Sequence, residues 1–310
     1  MITQAFVLGA GLGTRLRPLT DELPKPLVPI FGKPLMTFAF DHLIAAGCTR
    51  LIVNTHHLPE TFGTEARYRQ IPVRYEFEPV LLETGGGIKN VERHLRAEPF
   101  IVYSGDVLTD IDLDALIAEH FRASNEVTLA LRDTGLASGV AFRDGRVLDI
   151  AGRFGHTGNH DFANVSIWNP SVFARIPAAT KISFVPILLE WIEQGGRIGG
   201  VVLNDRCWFN IGSRSAYLEA HRTILEQQWR PDYVNPSDWP IRVAKDAVVP
   251  ASVRLNGFYS IGAGAQIGED AVLENTIVWP RAQIASRSRL RNCIVRSHQT
   301  AEGELSDLDI

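Results

Sequence analysis

The sequence has little cysteine, no surplus of basic charge and no long apolar run, and each shortage removes a class of function. Its three cysteines, Cys48, Cys207 and Cys293, lie far apart, are odd in number and form no Cys-x-x-Cys pair. That spacing points away from a disulfide framework and a structural zinc site, and towards small buried thiols. A formal charge of −4 gives no bulk attraction to nucleic acid or to an anionic membrane, so cations for an anionic ligand must be concentrated locally. No apolar stretch approaches the roughly 18 residues that span a bilayer, and Met1-Ile2-Thr3-Gln4 does not open a secretory leader. The expectation is a cytoplasmic protein with neither a nucleic-acid nor a membrane partner.

What is present suits a large core. At 310 residues and 45% hydrophobic content, the chain has room for one large domain and a smaller appendage. Short apolar runs at 5–8, 51–54, 73–77, 100–103 and 127–131 alternate with helical stretches such as 35–46 and Leu113–Arg122. The alternation predicts an α/β fold, a Rossmann-like and mostly parallel sheet with helices on both faces. In such sheets ligands sit beyond the carboxyl ends of the strands, where residues 9–14 and 104–106 fall. Those two segments are expected to converge on one crevice.

A helix is expected over 215–228, and the stretch from Trp229 with Pro231 and Pro236 then reads as a linker. The organisation predicted is a first domain at 1–228, a linker at 229–240, a second domain at 241–298 and a tail at 299–310. In the second domain small aliphatic residues recur every six positions at Val243, Val249, Leu255, Ile261, Ile267 and Leu273. A second series runs through Ala247, Val253, Tyr259, Ala265, Ala271 and Ile277. Such a hexad marks a parallel β-helix.

The repeat resembles the left-handed β-helix of hexapeptide proteins, which implies about three coils of roughly eighteen residues over 243–296. Past Trp279 the frame drifts. Acyltransferases of that kind use a histidine in the helix, and 243–296 contains none. The short β-helix is therefore read as a scaffold that joins copies of the chain into a homo-oligomer.

The chemistry concentrates near the N-terminus. After a strand ending at Leu8 come Gly9-Ala10-Gly11-Leu12-Gly13-Thr14-Arg15-Leu16-Arg17-Pro18-Leu19-Thr20, then Pro24-Lys25-Pro26. Three glycines let backbone amides approach phosphate oxygens, while Thr14, Arg15 and Lys25 add a hydroxyl and two cations. A P-loop would need Gly-Lys-Ser/Thr, which is absent, and a dinucleotide fingerprint would need glycine where Thr14 stands. Ser104-Gly105-Asp106 places a carboxylate at a strand end, an oxygen ligand of the type that Mg²⁺ takes.

With these motifs the chain resembles the sugar-1-phosphate nucleotidylyltransferase family over residues 2–228. The resemblance implies transfer of a nucleotidyl group from a nucleoside triphosphate to a sugar 1-phosphate, giving an NDP-sugar and pyrophosphate for cell-wall or polysaccharide synthesis. It implies that Leu8, Gly9, Ala10, Gly11, Gly13 and Thr14 hold the triphosphate, and that Arg15 and Lys25 are catalytic. Asp106 would bind Mg²⁺. The family's second ligand is usually the aspartate of Trp-x-Asp-x-Gly-Thr; here Trp208-Phe209-Asn210-Ile211-Gly212-Ser213 offers Asn210 instead, which weakens metal binding before nucleotide arrives.

Glu78 and the segment Leu82-Glu83-Thr84-Gly85-Gly86-Gly87-Ile88, read as a flexible loop, correspond to the region where relatives meet base and sugar. Glu78 is expected to accept from uracil or guanine, with Gly85 on the nucleotide. Gly86, Asn164 and Lys181 are candidates for the sugar phosphate; relatives usually carry glycine where Asn164 stands. Leu-Glu-Thr-Gly-Gly-Gly-Ile is most similar to N-acetylmuramate-1-phosphate uridylyltransferases, so UTP is favoured over GTP. The alternatives are a mannose- or heptose-1-phosphate guanylyltransferase, or an inactive regulatory subunit that binds NDP-sugar.

Overall fold

The computed structural model describes residues 1–63, 66–133 and 139–310. The chain divides into two compact units, Met1–Leu12 with Phe38–Trp208, and Gly13–Thr37 with Phe209–Ile310.

The first unit is built on a ten-stranded sheet. Its order is Val140–Arg143, Arg146–Ile150, Ile198–Val202, Val127–Arg132, Asp161–Trp168, Phe100–Ser104, Gln4–Leu8, Arg50–Thr55, Ile71–Phe77 and Arg67–Tyr68. Arg146–Ile150, Asp161–Trp168 and Arg67–Tyr68 run against the others, so the sheet is mixed but mostly parallel, the Rossmann-like arrangement expected. At its centre Phe100–Ser104, Gln4–Leu8, Arg50–Thr55 and Ile71–Phe77 are parallel neighbours. The runs in Ala5–Val7, Leu51–Val53 and Phe100–Tyr103 are apolar at every position because central parallel strands are covered on both faces. Phe6, Ile52, Phe100, Val102, Leu129, Trp168, Leu188 and Trp191 form the main buried cluster.

Helix Leu113–Arg122 starts where Asp112 accepts from the Ala115 amide at 2.8 Å, and it lies against Val127–Arg132, Asp161–Trp168 and Ile198–Val202. One expectation is corrected. The triglycine segment is the helix Glu83–Asn90, with Gly85, Gly86 and Gly87 buried in its first turns. Three glycines oppose a helix by propensity, but packing overrides them. The Gly86 amide donates to Ile182 O at 2.9 Å, and a Cβ on Gly86 would stand 2.3 Å from Thr180 O.

The second unit pairs helix Arg214–Glu226, capped by the Ser213 hydroxyl, with parallel ladders consistent with a β-helix. Ile261, Ala265, Ile267, Ala271, Leu273, Ala282, Ile284, Leu290 and Val295 line its interior. Arg254 pairs with Val272, Val272 with Arg289 and Arg289 with Glu304, so successive coils take 18, 17 and 15 residues. That shortening is the drift of the hexad frame beyond Trp279. A register shift between Asn256 and Tyr259 removes the first residue from the repeat. Thr300–Ala301 and Glu304–Ser306 lie within the stretch read as a tail at 299–310, yet both pair into the ladders.

Candidate active site

In the first unit the strand ends are brought into line. Leu8 is opposite Ser104 in the parallel pairing, and the Gly105 amide donates to Leu8 O at 2.9 Å. The start of the glycine-rich loop therefore lies beside the Gly105-Asp106 turn, as the position of both motifs after buried strands predicts. Ser104 Oγ donates to Asp106 Oδ1 at 2.8 Å, which orients the half-buried carboxylate. Gly9 and Ala10 are buried, while Gly11 and Leu12 are exposed; no atom would lie within 4 Å of a Cβ on Gly11. The loop thus has open space on its outer side, as an anion cradle needs.

Asn54, at the end of the neighbouring strand, holds the loop. Its Oδ1 accepts from the Gly9 amide at 2.8 Å, and its Nδ2 donates to Glu78 Oε1 at 2.8 Å. The second Glu78 oxygen accepts from the Leu82 amide at 3.1 Å. Glu78 is fully buried and both its oxygens are engaged inside the unit. It is a brace for the loop and for helix Glu83–Asn90, and not a group that faces a base. Burial raises its carboxyl pKa above the ordinary value, against the opposing pull of the Asn54 and Leu82 hydrogen bonds.

Asn54 has only a faint trace in the sequence: it is the polar residue that follows the apolar run Leu51–Val53, level with Leu8 in the next strand.

Asn164 adopts φ +63° at an irregularity in the pairing of Asp161–Trp168 with Val127–Arg132. That left-handed backbone suits glycine, and among side chains asparagine is one that tolerates it best. Lys181 is exposed, and its Nζ stands 3.8 Å from Glu83 Oε1, also exposed. A solvated pair of that kind contributes about 0–1 kcal/mol, so Lys181 remains available to a ligand. Gly85 is buried and packs against the Ile182–Ser183 backbone: a Cβ on it would stand 2.9 Å from Ile182 O.

In the second unit the signature segment folds into consecutive tight turns at Thr14–Leu16, Leu19–Asp21 and Lys25–Leu27. Gly13 has φ +63°, and a Cβ there would come within 2.8 Å of Thr20 Cγ2 and 3.4 Å of Lys25 Cβ, so Thr20 and the lysine pack onto the loop. Thr20 Oγ1 donates to Gly13 O at 2.9 Å. Thr14 and Arg15 are exposed, whereas Lys25 is 8% exposed. Arg15 and Asn210 flank Gly212: a Cβ on that glycine would lie 3.5 Å from Arg15 Nη2 and 3.5 Å from Asn210 Oδ1. Asn210 Oδ1 is buried with no hydrogen-bond partner among the described residues. An orphaned amide oxygen fits a hard cation, which takes neutral oxygens as well as carboxylates.

Residues 4–227 match the profile of the nucleotidyl transferase family. A D-glycero-alpha-D-manno-heptose 1-phosphate guanylyltransferase of Aneurinibacillus thermoaerophilus is 31% identical over 228 residues, which is 71% of this chain and 98% of that one. An N-acetylmuramate alpha-1-phosphate uridylyltransferase of Neisseria meningitidis is 32% identical over 243 residues, 73% of this chain and 100% of that one. Among solved structures, the inositol-1-phosphate CTP transferase from T. maritima has a similar fold, with a TM-score of 0.59 at 19% identity over 69% of this chain and 91% of that one.

Proposed function

The chain belongs to the nucleotidyl transferase family, and on that premise we propose that it is a uridylyltransferase acting on N-acetylmuramate 1-phosphate or a related N-acetylhexosamine 1-phosphate. The coarser statement, an enzyme that transfers nucleotidyl groups to sugar 1-phosphates, follows from the family and from both relatives. The observation that supports the reading is the alignment of Leu8 with Ser104, which sets the start of the glycine-rich loop beside the Asp106 turn. UTP is favoured by the Leu-Glu-Thr-Gly-Gly-Gly-Ile segment and by the uridylyltransferase relative. A guanylyltransferase is the second reading, favoured by the 31% identity to the heptose enzyme over nearly its whole length.

The reaction is in-line attack by a sugar-1-phosphate oxygen on the α-phosphorus, with pyrophosphate leaving and no covalent enzyme intermediate. Both reactants are anions, so the protein aligns them and neutralises charge. The Gly9–Thr14 amides cradle the triphosphate, Arg15 meets the charge that develops on pyrophosphate, and Lys25 contacts the reacting phosphates. Asn164 and Lys181 meet the sugar phosphate. Asp106 and Asn210 are the residues that would hold Mg²⁺, which supplies charge neutralisation at the phosphates when bound. The β-helix is left-handed on this reading, and the enzyme acts in the cytoplasm.

The test is pyrophosphate release from UTP, GTP, CTP and dTTP against N-acetylmuramate, mannose, glucose and heptose 1-phosphates. UTP with N-acetylmuramate 1-phosphate is expected to dominate, and Lys25→Ala or Asp106→Ala to abolish it in a folded protein. Near-normal turnover in either variant sinks the mechanism; dominance of GTP sinks the choice of base. Absence of release from every pair would leave the NDP-sugar-binding subunit as the better reading.

A further inference from the structure

The C-terminal ladder and the signature segment belong to the same compact unit, and specific bonds join them. Arg296 Nη1 donates to Glu22 Oε1 at 2.8 Å, and the same guanidinium donates through Nε to Ile310 O at 3.1 Å. Neither partner is solvated in the ordinary way: the Arg296 side chain is 18% exposed and the Glu22 side chain 28%. A pair of this kind, shielded and fixed by a second bond, is held more firmly than a surface ion pair.

Seven residues further along the chain there is a second tie. The buried Trp279 Nε1 donates to Tyr217 Oη at 3.1 Å, and Tyr217 Oη donates to Pro29 O at 2.5 Å. Glu22 and Pro29 bracket Lys25. The ladder thus holds both ends of the eight-residue stretch that presents the lysine.

A third tie reaches the other motif. Arg214, four residues after Asn210, donates through Nε to Asp309 Oδ1 at 2.6 Å and through Nη2 to Asn292 O, both on the last coils. These three ties join long-separated pieces of the sequence; Glu22 and Arg296 are 274 residues apart.

We propose that the ladder is a positioning device for catalysis, in which Arg296, acting through Glu22, and Trp279, acting through Tyr217, fix the segment that carries Lys25, while Asp309 fixes Arg214 beside Asn210. Arg296 is a positioning residue in this scheme and touches no substrate. The proposal deepens the transferase reading and rests on it for its catalytic readout. Transition-state contacts are more sensitive to displacement than ground-state binding, so loosening the segment lowers kcat more than it raises the KM for nucleotide.

Two measurements on the full chain test it. In the first, Arg296→Ala and Glu22→Gln are expected to lower kcat by about 10- to 100-fold with nucleotide KM changed less than about threefold. The reversed pair, Arg296→Glu with Glu22→Arg, should recover most of the loss. Wild-type kcat in both single variants, or a reversed pair no better than the worse single variant, overturns the proposal. In the second, amide hydrogen exchange of Arg296→Ala should accelerate by at least about tenfold at Leu16, Leu27 and Val28, whose amides close the tight turns, while Gln4–Leu8 exchanges as before. Unchanged exchange at those amides overturns the proposal whether or not pyrophosphate is released. A wild-type protein that releases none, with exchange still accelerated in the variant, removes the transferase reading and leaves the tether standing.

Discussion

Asn54 joins the backbone of Gly9 to the carboxylate of Glu78, with 2.8 Å hydrogen bonds on both sides of one amide group. The glycine-rich loop is therefore tied across the sheet to the turn that starts helix Glu83–Asn90, because Glu78 also accepts from the Leu82 amide. An amide is suited to that place: it accepts from a backbone N–H with one end and donates to a carboxylate with the other.

Replacing Asn54 by alanine leaves the Gly9 amide and one Glu78 oxygen unpaired in a buried setting. Each orphaned group costs about 1–3 kcal/mol, so Asn54→Ala is expected to lose about 2–6 kcal/mol in urea unfolding and to weaken nucleotide binding through a loosened loop. Asn54→Asp should be worse, since it sets a second carboxylate against Glu78. Wild-type stability in Asn54→Ala would mean that the bridge carries no load.

Two buried histidines set an acid limit on stability. Burial pulls the His221 imidazole down to about 4, against a weaker upward pull from the Tyr217 carbonyl, and burial pulls His42 down to about 3. In the unfolded chain both titrate near the usual 6.5. Between these values the unfolded chain takes up protons that the folded chain refuses, so their full contribution is present above about pH 6.5 and is lost as pH falls. The slope is up to about 1.4 kcal/mol per pH unit for each histidine. Urea unfolding at about pH 7.5, 6 and 5 should show this decline, and His221→Gln should flatten it by up to about 1.4 kcal/mol per pH unit. An equal slope in the variant would place the proton uptake elsewhere.

Which parts of the fold could be read in advance follows from how local their determinants are. Strand ends at Leu8 and Ser104 were legible because each motif follows directly on its own apolar run. The triglycine segment was misread as a loop because its helix depends on the Thr180–Ser183 backbone, about a hundred residues away. Glu78 was expected to face a base, and nothing near it in the sequence reveals that Asn54 and Leu82 already occupy it. The hexad frame drifts past Trp279 because the coils become shorter, and the stretch at 299–310 that reads as a tail still pairs into the ladder. The bond between Glu22 and Arg296 has no local trace at all.

Asn164 separates backbone geometry from side-chain chemistry. At φ +63° glycine is strain-free and a β-branched residue is not, so Asn164→Gly should keep stability within about 1 kcal/mol while Asn164→Val loses about 1–3 kcal/mol. If the side chain also meets sugar hydroxyls, the glycine variant raises the KM for sugar 1-phosphate with the KM for nucleotide unchanged. Unaltered sugar KM in Asn164→Gly would reduce the residue to its turn.

Asn210 offers the clearest control over the metal. Its Oδ1 is buried and has no hydrogen-bond partner among the described residues, so it is free to face a ligand, but it brings no charge. Arg15 lies on the other side of Gly212, and a second carboxylate at 210 would face that guanidinium as well as a cation. Asn210→Asp is therefore expected to bind Mn²⁺, used as a probe for Mg²⁺, about tenfold more tightly without nucleotide, an increment of about 1.4 kcal/mol from the added charge. The same change should draw Arg15 towards residue 210 and away from the developing charge on pyrophosphate, so kcat rises less than metal affinity or falls. Asn210→Ala removes the oxygen altogether and should raise the Mg²⁺ concentration needed for half-maximal turnover. Calorimetric titration of Mn²⁺ into the nucleotide-free protein checks the first expectation, and identical binding in the wild type and in Asn210→Asp would show that residue 210 is no ligand.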